Sequence, residues 1–79
     1  MTTEGLPAYV AREVRAELAR QRVTQQQAAK WLGISQPQFG LRLNGEIEFR
    51  PSELDSLAKA LGVPVTTFLP SPAPVTTPV

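Results

Sequence analysis

The stretch that decides the fold is "TQQQAAKWLGISQPQFGLRLNG", which runs from Thr24 to Gly45. It contains five glutamines, but it has no histidine, cysteine or carboxylate of the kind that usually carries chemistry. The amide of glutamine donates and accepts hydrogen bonds without carrying a charge. Two short helical patterns meet near its middle, at Gly33. The stretch therefore raises the question of what an uncharged, amide-rich pair of helices recognises.

The first half of the stretch has the signature of a helix between Thr24 and Gly33. A threonine followed three positions later by Gln27 predicts a capping box, in which the hydroxyl accepts a hydrogen bond from a free backbone N–H. Gly33 tolerates the left-handed conformation that ends many helices, so a sharp turn costs little there. Ala29 leaves room for another helix to cross closely.

A second helix is predicted directly after that turn. Ser35 with Gln38 repeats the capping signature. Pro37 suits a first helical turn but disfavours helical geometry at Gln36. The cap is therefore either Ser35 or Gln36, and Gly45 closes the helix.

Three further segments are predicted to be helical. One begins with Pro7, whose fixed φ suits a first helical position. A fourth helix opens with Pro51 and Ser52 and ends at Gly62. Residues 63–70, "VPVTTFLP", are predicted to form a final helical turn. The apolar residues expected in the core are Val10, Val14, Leu18, Phe39, Leu43, Leu54, Leu57, Ala58, Leu61, Val63, Val65, Phe68 and Leu69.

This pattern predicts an all-α domain of five short helices over residues 7–69, with no strand. Residues 1–6 are expected to form a flexible N-terminus. The last ten residues, 70–79, contain four prolines and no charge, which predicts a disordered tail.

Composition excludes several function classes. The chain has 79 residues and a net charge of +1, which is too small to indicate a polyanionic partner on its own. It lacks cysteine and histidine, so we expect no metal and no cofactor. Acidic residues do not stand at a convincing catalytic spacing either, and the chain is not expected to be an enzyme. No apolar run is long enough to cross a membrane, and no secretory signal is visible.

Two short helices joined by a tight glycine turn predict a helix-turn-helix. In that motif the second helix projects from the body and enters the major groove of DNA. The amide of glutamine suits this task because it can pair with both N6 and N7 of adenine, or bond a phosphate oxygen.

The residues Gln25, Ala29, Gly33, Ile34, Ser35, Phe39, Leu43, Asn44 and Gly45 resemble the helix-turn-helix of the lambda-type repressor/Cro (XRE) family. The downstream "PSELDSLAKALGVPVTTFL" resembles the family's fourth and fifth helices. The resemblance covers about residues 8–69 and implies a compact five-helix lambda repressor-like domain. It also implies a transcriptional regulator that binds double-stranded operator DNA, commonly a repressor of phage or bacterial origin. The expected location is the cytoplasm of a bacterial host cell.

The resemblance places the reading helix at about residues 36–44. It implies DNA contacts at Gln25, Ser35, Gln36, Pro37, Gln38, Leu41, Arg42, Asn44 and Arg50. In this family the glutamine that opens the second helix commonly anchors to phosphate, which maps onto Gln25. The start of the third helix commonly meets base edges, which maps onto Gln36, Pro37 and Gln38.

Several of these positions have a second interpretation. Gln38 either completes its capping box or contacts DNA. Arg42 either reads guanine, binds a phosphate or is a plain surface charge. Asn44 is a helix C-cap residue as well as a phosphate contact, and Arg50 either approaches the DNA backbone or lies in a solvated loop.

The third helix also departs from the family pattern. Leu41 stands where a polar residue is common, and either touches a thymine methyl or packs inward. Gly40 weakens the helix by up to about 1 kcal/mol relative to alanine. It either lets the backbone approach DNA closely or merely avoids a clash.

A homodimer through residues 63–69 is a further expectation, since paired half-sites raise affinity and specificity. The alternative function is a protein-interaction module of the antitoxin or adaptor type. The near-neutral charge and the apolar groups Trp31, Phe49 and Phe68 favour that alternative.

Overall fold

The structure is a computed structural model and describes residues 5–70. Within that range the chain forms four α-helices and one short 3-10 helix, and no strand. In chain order these are α1 (Leu6–Gln21), α2 (Gln25–Leu32), α3 (Gln36–Leu43), α4 (Pro51–Leu61) and the 3-10 helix Val65–Phe68. The all-α prediction is confirmed. Most of the expected flexible N-terminus 1–6 and tail 70–79 lies outside the described residues.

The prediction of a fifth α-helix is wrong. The segment Val65–Phe68 is a single 3-10 turn of four residues. The N–H of Thr67 donates to the carbonyl of Pro64 over 2.9 Å, a hydrogen bond that spans three residues instead of four. Leu69 is extended, with φ −112° and ψ 147°. The proline that follows Leu69 disfavours helical geometry there, so the turn cannot lengthen.

The turn between α2 and α3 follows local capping rules. The Thr24 hydroxyl accepts from the N–H of Gln27 at 3.1 Å, and the Ser35 hydroxyl accepts from the N–H of Gln38 at 3.2 Å. Ser35, and not Gln36, is therefore the cap of α3. Gly33 ends α2 in the left-handed conformation, with φ 69°. These three residues fix where each helix of the pair begins and ends.

The fourth helix begins at Pro51, as predicted. Arg50 is the N-cap, and Pro51 occupies the first helical position. Glu53 takes the role of the reciprocal capping residue, because its Oε1 accepts from the N–H of Arg50 at 2.9 Å. This places the Glu53 carboxylate at the junction between the α3–α4 loop and α4.

The core lies between the four helices and the 3-10 helix. Its centre is formed by Phe39 and Phe68, which are fully buried. The rings of Phe39 and Phe49 meet edge to face, with centroids 5.8 Å apart. The remaining buried apolar residues are Val10, Ala11, Val14, Leu18, Ala28, Ala29, Leu43, Leu54, Leu57, Ala58 and Leu61. Leu69 was expected in the core but is 37% exposed, because the chain becomes extended at that residue.

The helix-turn-helix is held from several sides. α2 packs against α3 and α4, while α1 packs against α3 and the 3-10 helix. A side-chain bond adds to this: Arg15 in α1 donates from Nη2 to the carbonyl of Leu43 at the end of α3, over 3.3 Å. No helix among residues 5–70 is long and apolar enough to span a membrane. The body therefore buries one side of α3 and leaves the other side open.

Candidate nucleic-acid interface

The N-terminal half of α3 forms an open polar surface. Ser35, Gln36, Pro37 and Gln38 are all exposed, and so is Gln25 at the start of α2. The Oε1 atom of Gln25 lies 3.9 Å from the position that a Cβ on Gly40 would occupy. The Gln25 side chain therefore lies beside α3. The structure brings the start of α2 and the start of α3 onto one surface, which we call the α3 face (Gln25, Ser35, Gln36, Pro37 and Gln38).

Gly40 and Leu41 continue α3 beyond this face. Both are half-buried. A Cβ on Gly40 would meet no atom closer than the 3.9 Å contact with Gln25, which is an ordinary van der Waals distance. The interpretation that glycine is needed here to avoid a clash within the chain is therefore wrong. The other interpretation, close approach of the helix backbone to DNA, stays a prediction.

Arg42 lies inside the protein, contrary to its predicted place among the exposed contacts. It is only 8% exposed. Its Nε donates to Oε1 of Glu53 at 3.0 Å, and its Nη1 donates to the carbonyl of Gln38 at 3.1 Å and to Oε1 of Gln38 at 3.3 Å. Nε and Nη1 of the guanidinium thus donate to acceptors of its own chain. Its placement makes it a link between α3 and α4, so the expected guanine or phosphate contact has no support here.

Glu53 is the site residue that sequence reasoning missed. Its side chain is 13% exposed and pairs with Arg42, while the same Oε1 accepts from the N–H of Arg50. Burial raises the pKa of the Glu53 carboxyl. The hydrogen bonds from Arg42 and Arg50, together with their positive charges, outweigh that effect and hold the pKa below its ordinary value. The signal that could have found it is the spacing of Arg50, Pro51 and Glu53, which is that of an N-cap, a first helical residue and a reciprocal capping residue.

Gln38 forms hydrogen bonds through both its backbone and its side chain. Its backbone N–H is capped by Ser35, and its side-chain oxygen accepts from Arg42. The amide therefore does not complete a capping box, which was one of its two interpretations. Since the residue as a whole is exposed, the rest of its amide is left at the surface.

Asn44 and Arg50 flank the loop that follows α3. Asn44 is exposed and is the C-cap of α3, as one interpretation expected, with its N–H donating to the carbonyl of Gly40 at 3.0 Å. Arg50 is exposed, and Glu53 fixes its backbone. Both side chains are thus free of the core. Glu46 and Glu48 in the same loop are also exposed.

The chemistry available at the α3 face is hydrogen bonding. It offers amide and hydroxyl groups, and its helices contain no acidic residue in their first turns. Across residues 5–70 there is no cluster of three or more metal-ligating side chains. A surface of this kind can recognise donors and acceptors on a partner. Nothing in it resembles the paired acids and bases of a hydrolytic site.

Comparisons with known proteins agree with this geometry. The family described as "Helix-turn-helix domain" matches residues 10–68. Among solved structures, the chain is similar to the clp gene regulator ClgR from C. glutamicum. The TM-score is 0.77 with 23% sequence identity, over 84% of this chain and 86% of that chain. No curated protein sequence matches it. The family match supports the motif predicted for Thr24 to Gly45, and the structural likeness supports the fold.

Proposed function

Because this chain belongs to the helix-turn-helix domain family, we propose that it is a sequence-specific DNA-binding transcriptional regulator of the repressor/Cro type. Its partner is double-stranded operator DNA, and it acts in the cytoplasm of a bacterial cell. The observation that carries this proposal is the open α3 face, which projects amide groups from a helix held by the body on its other side. The similar solved structure is that of a gene regulator, which is consistent with this proposal.

Sequence is read by the start of α3. Gln36 and Pro37 are exposed at its first turn, where side chains of a recognition helix meet base edges. Leu41 is half-buried, and the exposed part of its side chain contacts a thymine methyl group. Gln38 lies at the edge of this group.

Other residues position the helix on the DNA. Gln25 lies beside α3 and bonds a phosphate oxygen, which sets the register without reading sequence. Ser35, Asn44 and Arg50 are exposed around the same helix and supply further backbone contacts. Phosphate contacts of this type fix orientation, while the bases at the groove floor decide the preferred sequence.

The electrostatic contribution is small. Lys30 and Arg50 are exposed cations on or beside the helix-turn-helix, whereas the charge of Arg42 is offset by Glu53. Two phosphate contacts correspond to a slope of about −2 per monomer in a plot of log affinity against log salt concentration. Affinity therefore rests largely on hydrogen bonds and shape, and it weakens only slowly as salt is added.

A homodimer through residues 63–69 completes the proposal. Leu69 in this segment is 37% exposed and Leu6 is 55% exposed; they are the large hydrophobic residues left exposed in the described part of the chain. Both line one apolar groove, together with Phe49 and Leu54. The 3-10 helix packs on α1 and α4. No residue of the α3 face lines this groove, so we expect a second copy seated there to leave the α3 face of each copy available for a half-site.

The same groove favours a second candidate function. A protein-interaction module of the antitoxin or adaptor type would use the groove of Leu6 and Leu69 to hold a different protein. In that case the α3 face would have no DNA partner. Binding to duplex DNA separates the two functions.

The proposal is tested by selecting bound duplexes from a random DNA pool at low salt, followed by sequencing. A regulator enriches one motif, and a dimer enriches two related half-sites about one DNA turn apart. Recovery of unenriched sequences, or of no DNA, contradicts the proposal and favours the protein-interaction module.

A further inference from the structure

We propose that Arg42 determines which bases Gln38 can recognise, by holding the amide oxygen of Gln38 in a hydrogen bond and leaving its NH₂ group for DNA. This inference rests on the proposed function of α3 as the recognition helix. It adds to that function a positioning residue, Arg42, and a base preference for Gln38. Gln38 then donates to hydrogen-bond acceptors on the DNA, and guanine, which has two adjacent acceptors, is favoured over adenine and the other bases.

The orientation of the amide follows from the chemistry of its neighbour. Arg42 Nη1 lies 3.3 Å from Gln38 Oε1. A guanidinium has hydrogen-bond donors and no acceptor, so the group that faces it must be the amide oxygen and not the NH₂. The Nε2 nitrogen of Gln38 therefore points away from Arg42, and the residue as a whole is exposed.

Arg42 itself is fixed from two directions. Its Nη1 also donates to the backbone carbonyl of Gln38 at 3.1 Å, and its Nε donates to Glu53 at 3.0 Å. The side chain is 9% exposed. Arg42 is thus too enclosed to follow Gln38 outward. If Gln38 turned its oxygen towards DNA, it would leave a buried guanidinium donor without that acceptor.

The base preference follows from the NH₂ group of Gln38, which is the part of the amide left for DNA. A glutamine that pairs with adenine in the bidentate mode presents its oxygen to N6 and its nitrogen to N7 at the same time. An oxygen directed to Arg42 cannot lie on that base edge. The outward NH₂ has two hydrogens, which match the adjacent acceptors O6 and N7 of guanine. Adenine offers N7 alone, beside the N6 donor, and thymine offers O4 alone. Cytosine offers a donor in the major groove, which the NH₂ group cannot accept.

Selection from a random duplex pool tests this with four proteins. Gln38→Ala identifies the motif position that Gln38 reads, because the preference at that position is lost. Gln38→Glu keeps an oxygen for Arg42 but has no donor to offer. The double variant Arg42→Met with Glu53→Gln releases the amide, avoids a buried unpaired charge and keeps an acceptor for the N–H of Arg50.

The wild type is expected to select guanine at the Gln38 position. In the double variant the preference over adenine falls by about tenfold, because adenine can then form a bidentate pair with the released amide. In Gln38→Glu the preference for guanine disappears. Preferences at the remaining positions of the motif persist in every variant and show that the fold is intact.

Three results overturn the inference. The wild type could select adenine at this position, the double variant could leave the preference unchanged, or Gln38→Ala could alter no position at all. In each of them a motif is still recovered, so the DNA-binding proposal stands while the role of Arg42 fails. If the wild type recovers no motif, both the DNA-binding proposal and the role of Arg42 are contradicted.

Discussion

Arg42 Nε lies 3.0 Å from Glu53 Oε1, and this ion pair joins α3 to α4 beneath the surface of the protein. The side chains are only 9% and 13% exposed. The same carboxylate oxygen also holds the N–H of Arg50, at 2.9 Å. One acidic side chain therefore ties the proposed recognition helix to the start of the next helix.

Removal of this carboxylate should destabilise the fold. We expect Glu53→Ala to lower the free energy of unfolding by about 3 kcal/mol, because it leaves the charge of Arg42 buried without its partner. Asp55→Ala is the matched control in the same helix. It breaks the exposed pair with Lys59, which should be worth less than about 1 kcal/mol. Urea denaturation measures both, and equal losses would show that the buried pair has no special role.

Stability should fall in acid because of the same residue. The pKa of Glu53 is lower in the folded protein than its ordinary value of 4.5. Its contribution is therefore complete above pH 4.5 and is lost as the pH falls through the folded pKa. Urea midpoints measured between neutral pH and this acid range should fall more steeply for the wild type than for Glu53→Gln. Parallel curves for the two proteins would contradict this assignment.

Gly40→Ala should stabilise the fold and weaken DNA binding. Alanine raises helix propensity by up to about 1 kcal/mol, and the added Cβ finds its nearest neighbour at 3.9 Å, in ordinary contact. The free energy of unfolding is measured in urea, and affinity is measured by gel shift on a selected duplex. If the variant is more stable and binds with unchanged affinity, then DNA does not approach the backbone of α3 at this position.

Arg22→Gly should stabilise the protein and leave DNA binding unchanged. Arg22 ends α1 in the left-handed conformation, with φ 59°. A side chain makes that conformation unfavourable by about 1 kcal/mol, a cost that glycine does not have. Gly33→Ala is the converse control, since Gly33 has φ 69° and its replacement should destabilise the protein by a similar amount. Thermal denaturation shifts of opposite sign are expected, and shifts of the same sign would contradict the argument.

The helix-turn-helix could be predicted because its boundaries are set locally. Thr24 and Ser35 cap helices by bonds to residues three positions later, and Gly33 ends a helix by its own conformational freedom. Such rules act within a few residues and can be read from spacing. The core positions also follow from helical periodicity, as the burial of Phe39 and Leu57 shows.

The placement of Arg42 could not be predicted in the same way. Its partner Glu53 is 11 residues away, on another helix, and only the tertiary fold brings the two charges together. From the sequence alone, an arginine on a recognition helix is as consistent with a DNA contact as with a buried pair. The position of Leu69 was also predicted wrongly. The chain is extended at this residue, which precedes a proline, and its side chain therefore lies outside the core.

The affinity of Gln36→Ala for a selected duplex tests the central claim most directly, with Gln26→Ala, an exposed glutamine on α2, as the control. Binding is measured by fluorescence anisotropy on that duplex and on single-base variants of it. We predict that Gln36→Ala loses about 1–3 kcal/mol of binding free energy and discriminates less at one base pair. Gln26→Ala should match the wild type. A loss that is equal on every duplex, or no loss, would contradict the account of α3 as the helix that reads DNA.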